Sequence, residues 1–130
     1  ASDVYKRQIL PRSFDTGGAA SLDVRRLEGQ EFLMPSLGFH LDIMRALDRC
    51  GVTPVIRDTQ VSDTVIISMV EHGLGVSILS RLVLKGRSDD VLALPLDPPA
   101  VRELGVATLP HLRPLARKFL QFTAEMVEKL

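Results

Sequence analysis

The fold of this chain is decided by the segment Met69-Val70-Glu71-His72-Gly73-Leu74-Gly75-Val76-Ser77-Ile78-Leu79-Ser80. A helix ends in this segment, because Gly73 followed by Leu74 is the glycine-then-apolar pattern that closes helices. Residues 75–79 then form a short run with β-branched side chains, which predicts a strand. The segment is not a dinucleotide-binding motif, because a third glycine is missing and a helix rather than a strand precedes it.

Strands and amphipathic helices alternate on both sides of this segment. The pattern predicts a short helical turn over residues 21–27 with Ser21 as its cap, and a longer helix over 62–72 with Ser62 as its cap. A first strand is predicted to end at residues 9–11, and further strands are predicted over 31–34, 54–59, 91–96 and 102–109. Two further helices are predicted over 37–50 and 114–130. This alternation is typical of an α/β fold with a mixed or parallel sheet.

The last predicted helix carries an apolar stripe along one side. Its members are three or four residues apart: Leu115, Phe119, Phe122, Met126 and Leu130. The helix at 37–50 is also apolar on one face. The sequence does not separate packing in the core from contact between subunits, and we expect core packing for both helices.

The composition is that of one soluble domain. The chain has 130 residues, of which 45% are hydrophobic and 25% are charged. Sixteen basic and sixteen acidic residues give a net charge of zero, which argues against a dedicated nucleic-acid surface. No apolar run approaches the roughly 20 residues that span a bilayer, so we expect no membrane contact and a cytoplasmic location. Residues 1–8 are polar and aperiodic, and we expect an appended tail, a sequencing artefact or the irregular start of a strand, without a functional role.

No group of residues has the spacing of a catalytic or metal site. The histidines His40, His72 and His111 are far apart in the sequence, and no pair has the i, i+4 spacing of two ligands on one helix face. Cys50 is the only cysteine, and no second cysteine or adjacent histidine favours a reactive thiol. We therefore predict that the protein is not an enzyme and has no catalytic residue, no metal and no cofactor.

Two predicted loops lead from a strand into a helix and carry small polar residues. These are Pro35-Ser36-Leu37-Gly38 and Gln60-Val61-Ser62-Asp63-Thr64. Free backbone amides at a helix start stabilise a carboxylate or phosphate, although simple capping of the helix explains the same residues. Asp63 already supplies a negative charge to its own helix, so the first loop is the better candidate for binding an anion.

The order of these elements resembles the effector-binding domain of LysR-type transcriptional regulators. In that family a helix ends in a Val-x-x-Gly-Leu-Gly pattern and a strand follows, as at residues 70–75 here. The resemblance extends from about Ile9 to Leu130 and includes Phe32-Leu33-Met34-Pro35 before a helix and Gly51-Val52-Thr53-Pro54 before a strand. Ser80 differs, because it stands where the family usually has a proline.

The resemblance implies a periplasmic-binding-protein-like (type 2) α/β fold with two subdomains and an effector cleft between them. This chain would contain the second subdomain, over about residues 29–84, plus the returning part of the first subdomain, over about 9–28 and 85–130. The family's N-terminal helix-turn-helix would lie in sequence that is not present here, which agrees with the net charge of zero.

Carried over residue by residue, the resemblance also implies which residues bind the ligand. The eight cleft residues would follow the ends of three strands: Pro35, Ser36, Leu37, Thr59, Gln60, Gly75, Val76 and Ser77. The first three would form one wall, the last three would form a second wall, and the middle pair would reach the hinge side.

Family membership would make this chain the effector-sensing part of a bacterial transcription regulator. We expect the small-molecule effector to carry a carboxylate, because helix starts would face the cleft. Its binding would shift the two subdomains, and with them a homodimer or homotetramer. DNA would be bound only through the missing N-terminal domain. The alternative function is that of a free solute-binding protein with the same architecture.

Overall fold

The computed structural model describes residues 2–36, 38, 40–87 and 90–129, with the backbone alone for residues 2–5. The strands are β1 (Ser2–Leu10), β2 (Leu22–Asp23), β3 (Glu31–Met34), β4 (Val55–Asp58), β5 (Ser77–Ser80), β6 (Leu92–Asp97) and β7 (Val101–Leu104). The helices are α1 (His40–Arg49), α2 (Asp63–Glu71) and α3 (Pro114–Glu128), and a 3-10 helix covers Val24–Leu27. This alternation confirms the predicted α/β class. Within the residues described, no helix is long and apolar enough to cross a membrane.

β1 is the central strand of the larger sheet. It pairs antiparallel with β5 on one side and with β6 on the other, so that Gln8 lies opposite both Ile78 and Leu94. β2 runs parallel to β6, and β7 also pairs with β1. β3 and β4 form a separate parallel pair in which Met34 lies opposite Asp58. Because these are the last residues of β3 and β4, the two strands end side by side.

The β3–β4 pair is joined to the larger sheet through the residues just before β5. The backbone N–H of Val76 donates to the Glu31 carbonyl at 2.8 Å, and the N–H of Leu33 donates to the Val76 carbonyl at 2.8 Å. Gly75 lies so close to β3 that a β-carbon at this position would stand 2.7 Å from the Glu31 carbonyl oxygen. A glycine is therefore required at residue 75 by the close approach of two backbones.

Two clusters of buried side chains pack the helices against the sheets. α1 contributes Ile43 and Leu47 to a cluster that contains Phe32 of β3. α2 contributes Ile66 to a second cluster, which contains Leu33 of β3. Successive side chains of a strand point to opposite faces, so β3 has α1 packed on one face and α2 on the other.

Three predicted details at the ends of elements are wrong. Ser21 does not cap a turn over 21–27. The 3-10 helix begins at Val24, and the Asp23 carboxylate, a stronger acceptor than a hydroxyl, takes the backbone hydrogen bond from Arg25. Ser62 precedes α2 as predicted, but its side chain makes no capping hydrogen bond. β7 ends at Leu104 rather than at residue 109, and the next residue is a glycine, which weakens a strand.

Residues 2–8 form the start of a strand, which is one of the expected interpretations of this segment. From Ser2 onward they belong to β1, and the Lys6 and Gln8 side chains are buried. The Gln8 amide donates a hydrogen bond to the Leu22 carbonyl. The buried face of this strand thus holds a lysine and a glutamine, so no alternation of apolar and polar residues marked it in the sequence.

The chain divides into two compact units, Val4–Arg102 and Ala1–Asp3 with Glu103–Leu130. In the second unit, no described side chain of α3 is buried, and the predicted stripe is exposed at Leu115 (81%), Phe119 (67%), Phe122 (62%) and Met126 (51%). Leu130 lies outside the described residues. The expected core packing of this stripe is therefore wrong, because this unit by itself has too little other chain to cover the helix.

α1 partly confirms its predicted packing. Ile43, Ala46 and Leu47 are buried, whereas Leu41 is 68% exposed and lies off the buried face. The division into a subdomain over about 29–84 and a remainder stays a prediction.

Replacing Gly75 by alanine tests the close approach between β3 and residue 76. The added methyl group forces the Glu31 carbonyl away and weakens the hydrogen bonds on both sides of it. We expect Gly75→Ala to lower the free energy of unfolding by about 2 kcal/mol. Gly105→Ala is the matched control, because nothing lies within 4 Å of a β-carbon at that position. Chemical denaturation followed by circular dichroism measures both variants, and equal effects would contradict the role given to Gly75.

Candidate functional site

The candidate site lies where β3 and β4 end side by side. β3 is followed by a loop that leads into α1, and β4 is followed by a loop that leads into α2. The start of a helix presents backbone N–H groups without intrahelical partners and a partial positive charge. Two loops and two helix starts therefore meet at the carboxyl edge of parallel strands, where open α/β sheets bind ligands.

The predicted cleft residues of the first loop differ in exposure. Pro35 is buried directly after β3, whereas Ser36 is exposed. Leu37 lies outside the described residues. Of the two described residues that were predicted to line the cleft in this loop, Ser36 is the exposed one, so its hydroxyl is open to a ligand.

The loop after β4 is fixed against the end of β3. The Thr59 hydroxyl donates to the Met34 carbonyl at 3.0 Å. Gln60 is exposed and has a φ of 49°, in the left-handed region that residues other than glycine rarely adopt. Backbone strain of this kind is concentrated at functional sites, where the surrounding structure holds a loop in one shape. Thr59 and Gln60 thus determine the path of the chain from β4 to α2.

The three residues of the predicted second wall are built into the sheet. Val76 is buried in the core beside Phe32. Ser77 is fully buried, and its hydroxyl donates to the Leu33 carbonyl at 2.7 Å. Gly75 lies against the backbone of β3, as described above. All three residues position β3, and their contact with a ligand stays a prediction.

Four charged side chains lie near this edge, and of these only Asp63 was singled out from the sequence. Val76 lies opposite Phe32 of β3, so β5 continues beyond the end of β3 and brings Lys6 of β1 with it. Lys6 is only 4% exposed. Asp42 lies in the first turn of α1, Asp63 lies in the first turn of α2, and Arg102 comes from β7. We call Lys6, Asp42, Asp63 and Arg102 the charged cluster.

Opposite charges offset one another within the charged cluster. Arg102 Nε lies 3.2 Å from Asp42 Oδ2. The pKa of Lys6 is lowered, mainly because the side chain is buried. The negative charges of Asp42 and Asp63 oppose this change, whereas the positive charge of Arg102 adds to it. Burial also raises the pKa of Asp63, and the Lys6 charge opposes that change. The cluster therefore holds two cations and two carboxylates in a partly buried setting.

Two carboxylate oxygens of the charged cluster accept no hydrogen bond from the described part of the chain. These atoms, Asp42 Oδ2 and Asp63 Oδ1, are inaccessible to solvent. Arg102 is close enough to Asp42 for an ion pair, but its N–H does not have the geometry of a hydrogen bond to this oxygen. A buried acceptor without a donor costs about 1–3 kcal/mol. At Asp42 the nearby Arg102 charge offsets part of this cost.

Sequence reasoning missed the charged cluster for two reasons. Lys6 and Arg102 are brought together by the order of the strands, which no local pattern reports. Asp42 and Asp63 did carry a signal, because each is an acidic residue in the first turn of a helix. That position is adequately explained by the helix dipole alone, so the signal did not separate a binding site from ordinary helix stabilisation.

Two cavities show what space is available in the two units. A groove of about 440 Å³ in the unit Glu103–Leu130 is lined by α3 residues such as Leu120 and Val127, and it contains none of the predicted site residues. A smaller cavity of about 300 Å³ is lined in part by Lys6, Arg7 and Arg81. The smaller cavity is the one that borders the charged cluster.

The described residues show no set of groups for metal or disulfide chemistry. Among them, no cluster of three or more His, Cys, Asp or Glu side chains has the arrangement to hold a metal ion. Cys50 is a free cysteine at the end of α1 and packs partly buried against the core.

Comparison with family models gives a match over nearly the whole chain. The model of the LysR substrate binding domain matches residues 9–128. Comparison with curated proteins gave no match.

Solved structures with the same fold include regulators and regulatory domains. The regulatory domain of CcmR from Synechocystis, in complex with 2-PG, is 20% identical over 98% of this chain, with a TM-score of 0.75. HinK, a LysR family transcriptional regulator from Pseudomonas aeruginosa, is 20% identical over 97% of this chain, with a TM-score of 0.81. The effector binding domain of QuiR, in complex with shikimate, is 15% identical over 98% of this chain, with a TM-score of 0.72. At these identities the likeness shows the fold, and the chain spans 65%, 46% and 63% of the three structures respectively.

The contrast between Ser77 and Ser36 predicts different effects on stability. Ser77→Ala removes a buried hydrogen bond to β3, and we expect it to lower the free energy of unfolding by about 1 kcal/mol. Ser36→Ala is the control, with an expected change within about 0.5 kcal/mol, because Ser36 is exposed. Urea denaturation of both variants measures the difference. A larger loss for Ser36→Ala would show that the two hydroxyls have been assigned the wrong roles.

Proposed function

The chain belongs to the LysR substrate binding domain family, and from this membership we propose that it senses a small-molecule effector for a transcription regulator. The proposal rests on one observation, the meeting of an exposed serine, a strained glutamine and two helix starts where β3 and β4 end. The structural neighbours are a regulator and two regulatory or effector-binding domains, which favours effector sensing over a free solute-binding protein.

The effector lies at the edge where β3 and β4 end, beside the described residues that the family resemblance indicated. Ser36 and Gln60 contact it directly, because both side chains are exposed at the edge. Thr59 and Ser77 act mainly by holding β4 and β5 to β3 through their hydroxyl groups. This division of roles combines an adaptable contact surface with a rigid support.

The effector carries a carboxylate. Backbone N–H groups at the helix starts stabilise a negative charge, and Lys6 and Arg102 add two positive side chains beside them. Two neighbours with this fold are in complex with 2-PG and with shikimate, so domains of this kind accommodate small polar molecules.

The effector acts by favouring one arrangement of the two subdomains. A ligand changes such an equilibrium only by the difference in its affinity for the two arrangements, so contacts on both sides of the cleft are needed. The change passes to a homodimer or homotetramer, and DNA is bound by an N-terminal domain of the whole protein. The regulator acts in the bacterial cytoplasm, and the domain catalyses no reaction.

Titration of the intact regulator with aromatic and aliphatic carboxylates tests this function. We expect at least one of these compounds to bind, with heat released or absorbed in isothermal titration calorimetry. Ser36→Trp fills the edge where β3 ends, so it weakens binding by at least about tenfold and abolishes the response of a reporter gene. Ser36→Ala is the comparison variant and weakens binding less than Ser36→Trp does, because it removes one hydroxyl contact without blocking the edge. If no carboxylate binds and Ser36→Trp still regulates normally, the proposed function is wrong.

A further inference from the structure

The first turn of α1 is tied to a strand of the larger sheet by an ion pair. Arg102 of β7 has its Nε 3.2 Å from Asp42 Oδ2. Asp42 lies in the first turn of α1, whereas β7 pairs with β1 of the larger sheet. The ion pair therefore joins two elements that are far apart in the sequence.

Apolar packing is weak where α1 begins. His40 is half-buried and Leu41 is 68% exposed, so Ile43 is the first buried apolar side chain of the helix. Ala46 and Leu47 anchor the later turns in the core. The ion pair of Asp42 thus supplements weak packing at the start of the helix.

Partial burial makes this ion pair more effective than one at the surface. The side-chain exposure is 34% for Arg102 and 28% for Asp42, compared with 76% and 39% for the pair of Arg25 and Asp23. Water and salt screen partly buried charges less than exposed ones. The charge of Lys6 also interacts with Asp42, so removal of Arg102 weakens the hold on Asp42 without abolishing it.

This end of α1 leads directly into the proposed effector site. The loop between β3 and α1 contains Ser36, which the proposed function places in contact with the effector. β3 fixes one end of this loop, and the first turn of α1 fixes the other. A shift of this turn would displace both the loop and the free N–H groups that favour a negative charge.

We propose, on the basis of the proposed function, that Arg102 is a positioning residue of the effector site. Through its ion pair with Asp42 it holds the first turn of α1, and with it the loop that presents Ser36. Arg102 acts through Asp42 rather than by contact with the effector. A site that is held in place before the ligand arrives binds more tightly, because less conformational freedom is lost on binding.

Amide hydrogen exchange of the intact regulator without a ligand tests the hold on α1. The N–H groups of residues 44–46 donate to the carbonyl groups of residues 40–42, so their exchange reports on the first turn. We expect Arg102→Gln to speed exchange in a peptide that covers residues 40–47 by at least about threefold.

A second arginine–aspartate pair supplies the matched control. Arg25→Gln breaks the ion pair with Asp23, whose residues lie in and before the 3-10 helix and outside the candidate site. We expect this variant to leave exchange in residues 40–47 unchanged. The peptide that covers α2 is the internal reference for Arg102→Gln, because α2 does not contain Asp42.

Calorimetric titration tests whether the position of α1 matters for binding. The probes are benzoate, shikimate, glutarate and hexanoate. For each probe that the unchanged regulator binds, we expect Arg102→Gln to weaken binding by at least about threefold, and Arg102→Lys, which keeps the charge, to restore most of the affinity. Thermal unfolding followed by circular dichroism establishes that each variant is folded before binding is measured.

A double-mutant cycle separates positioning from direct contact. If Arg102 acts through Asp42, the variant with both Asp42→Asn and Arg102→Gln binds no more weakly than the weaker of the two single variants. If Arg102 contacts the effector directly, the double variant binds clearly more weakly than Asp42→Asn alone, and the positioning role is wrong.

The outcomes also separate this inference from the proposed function. If Arg102→Gln leaves exchange in residues 40–47 unchanged, the positioning role is wrong, while effector sensing stands as long as a carboxylate binds. If exchange is faster but the affinity for a bound probe does not change, the effect on the site is wrong. If no carboxylate binds and Ser36→Trp still regulates, the proposed function is wrong, and the role of Arg102 in effector binding is wrong with it.

Discussion

The backbone of β3 is the element on which the arrangement of the site depends. Its carbonyl groups accept hydrogen bonds from three other parts of the chain: the Val76 N–H, the Ser77 hydroxyl and the Thr59 hydroxyl. These bonds fix β5 on one side of β3 and the loop after β4 at its end. The first of them requires that residue 75 have no side chain, because the two backbones lie too close for a β-carbon. One glycine thus determines how the parallel pair is attached to the larger sheet.

The charged cluster follows from this attachment. Since β5 is held to β3 at Val76, its remaining residues extend past the end of β3 and carry β1 to the same edge. β1 brings Lys6, and the helices packed on the two faces of β3 bring Asp42 and Asp63 in their first turns. Charges that are distant in sequence therefore meet because of strand order. The packing of the helices buries these charged side chains, whereas the order of the strands determines which of them lie close together.

Local patterns predicted the elements of this fold better than they predicted its chemistry. Glycine stops and helical periodicity located α1, α2 and β5, because these signals depend on a few neighbouring residues. The family resemblance located the edge that contains Ser36. The same reasoning did not foresee that Lys6 is buried, and it misjudged the stripe at Phe119, which is exposed. In both cases the local pattern does not report which other residues pack against the segment. Those residues are distant in the sequence, so their packing depends on the whole fold.

The charged cluster is a costly way to stabilise a domain, because its charged side chains are partly buried. Replacing buried ion pairs by apolar side chains of similar volume is often neutral or stabilising, so packing alone does not account for these four charges. Under the proposed function, an effector acts by binding one arrangement of the domain more tightly than the other. A difference of this kind is what shifts a conformational equilibrium, whereas equal stabilisation of both arrangements would shift nothing.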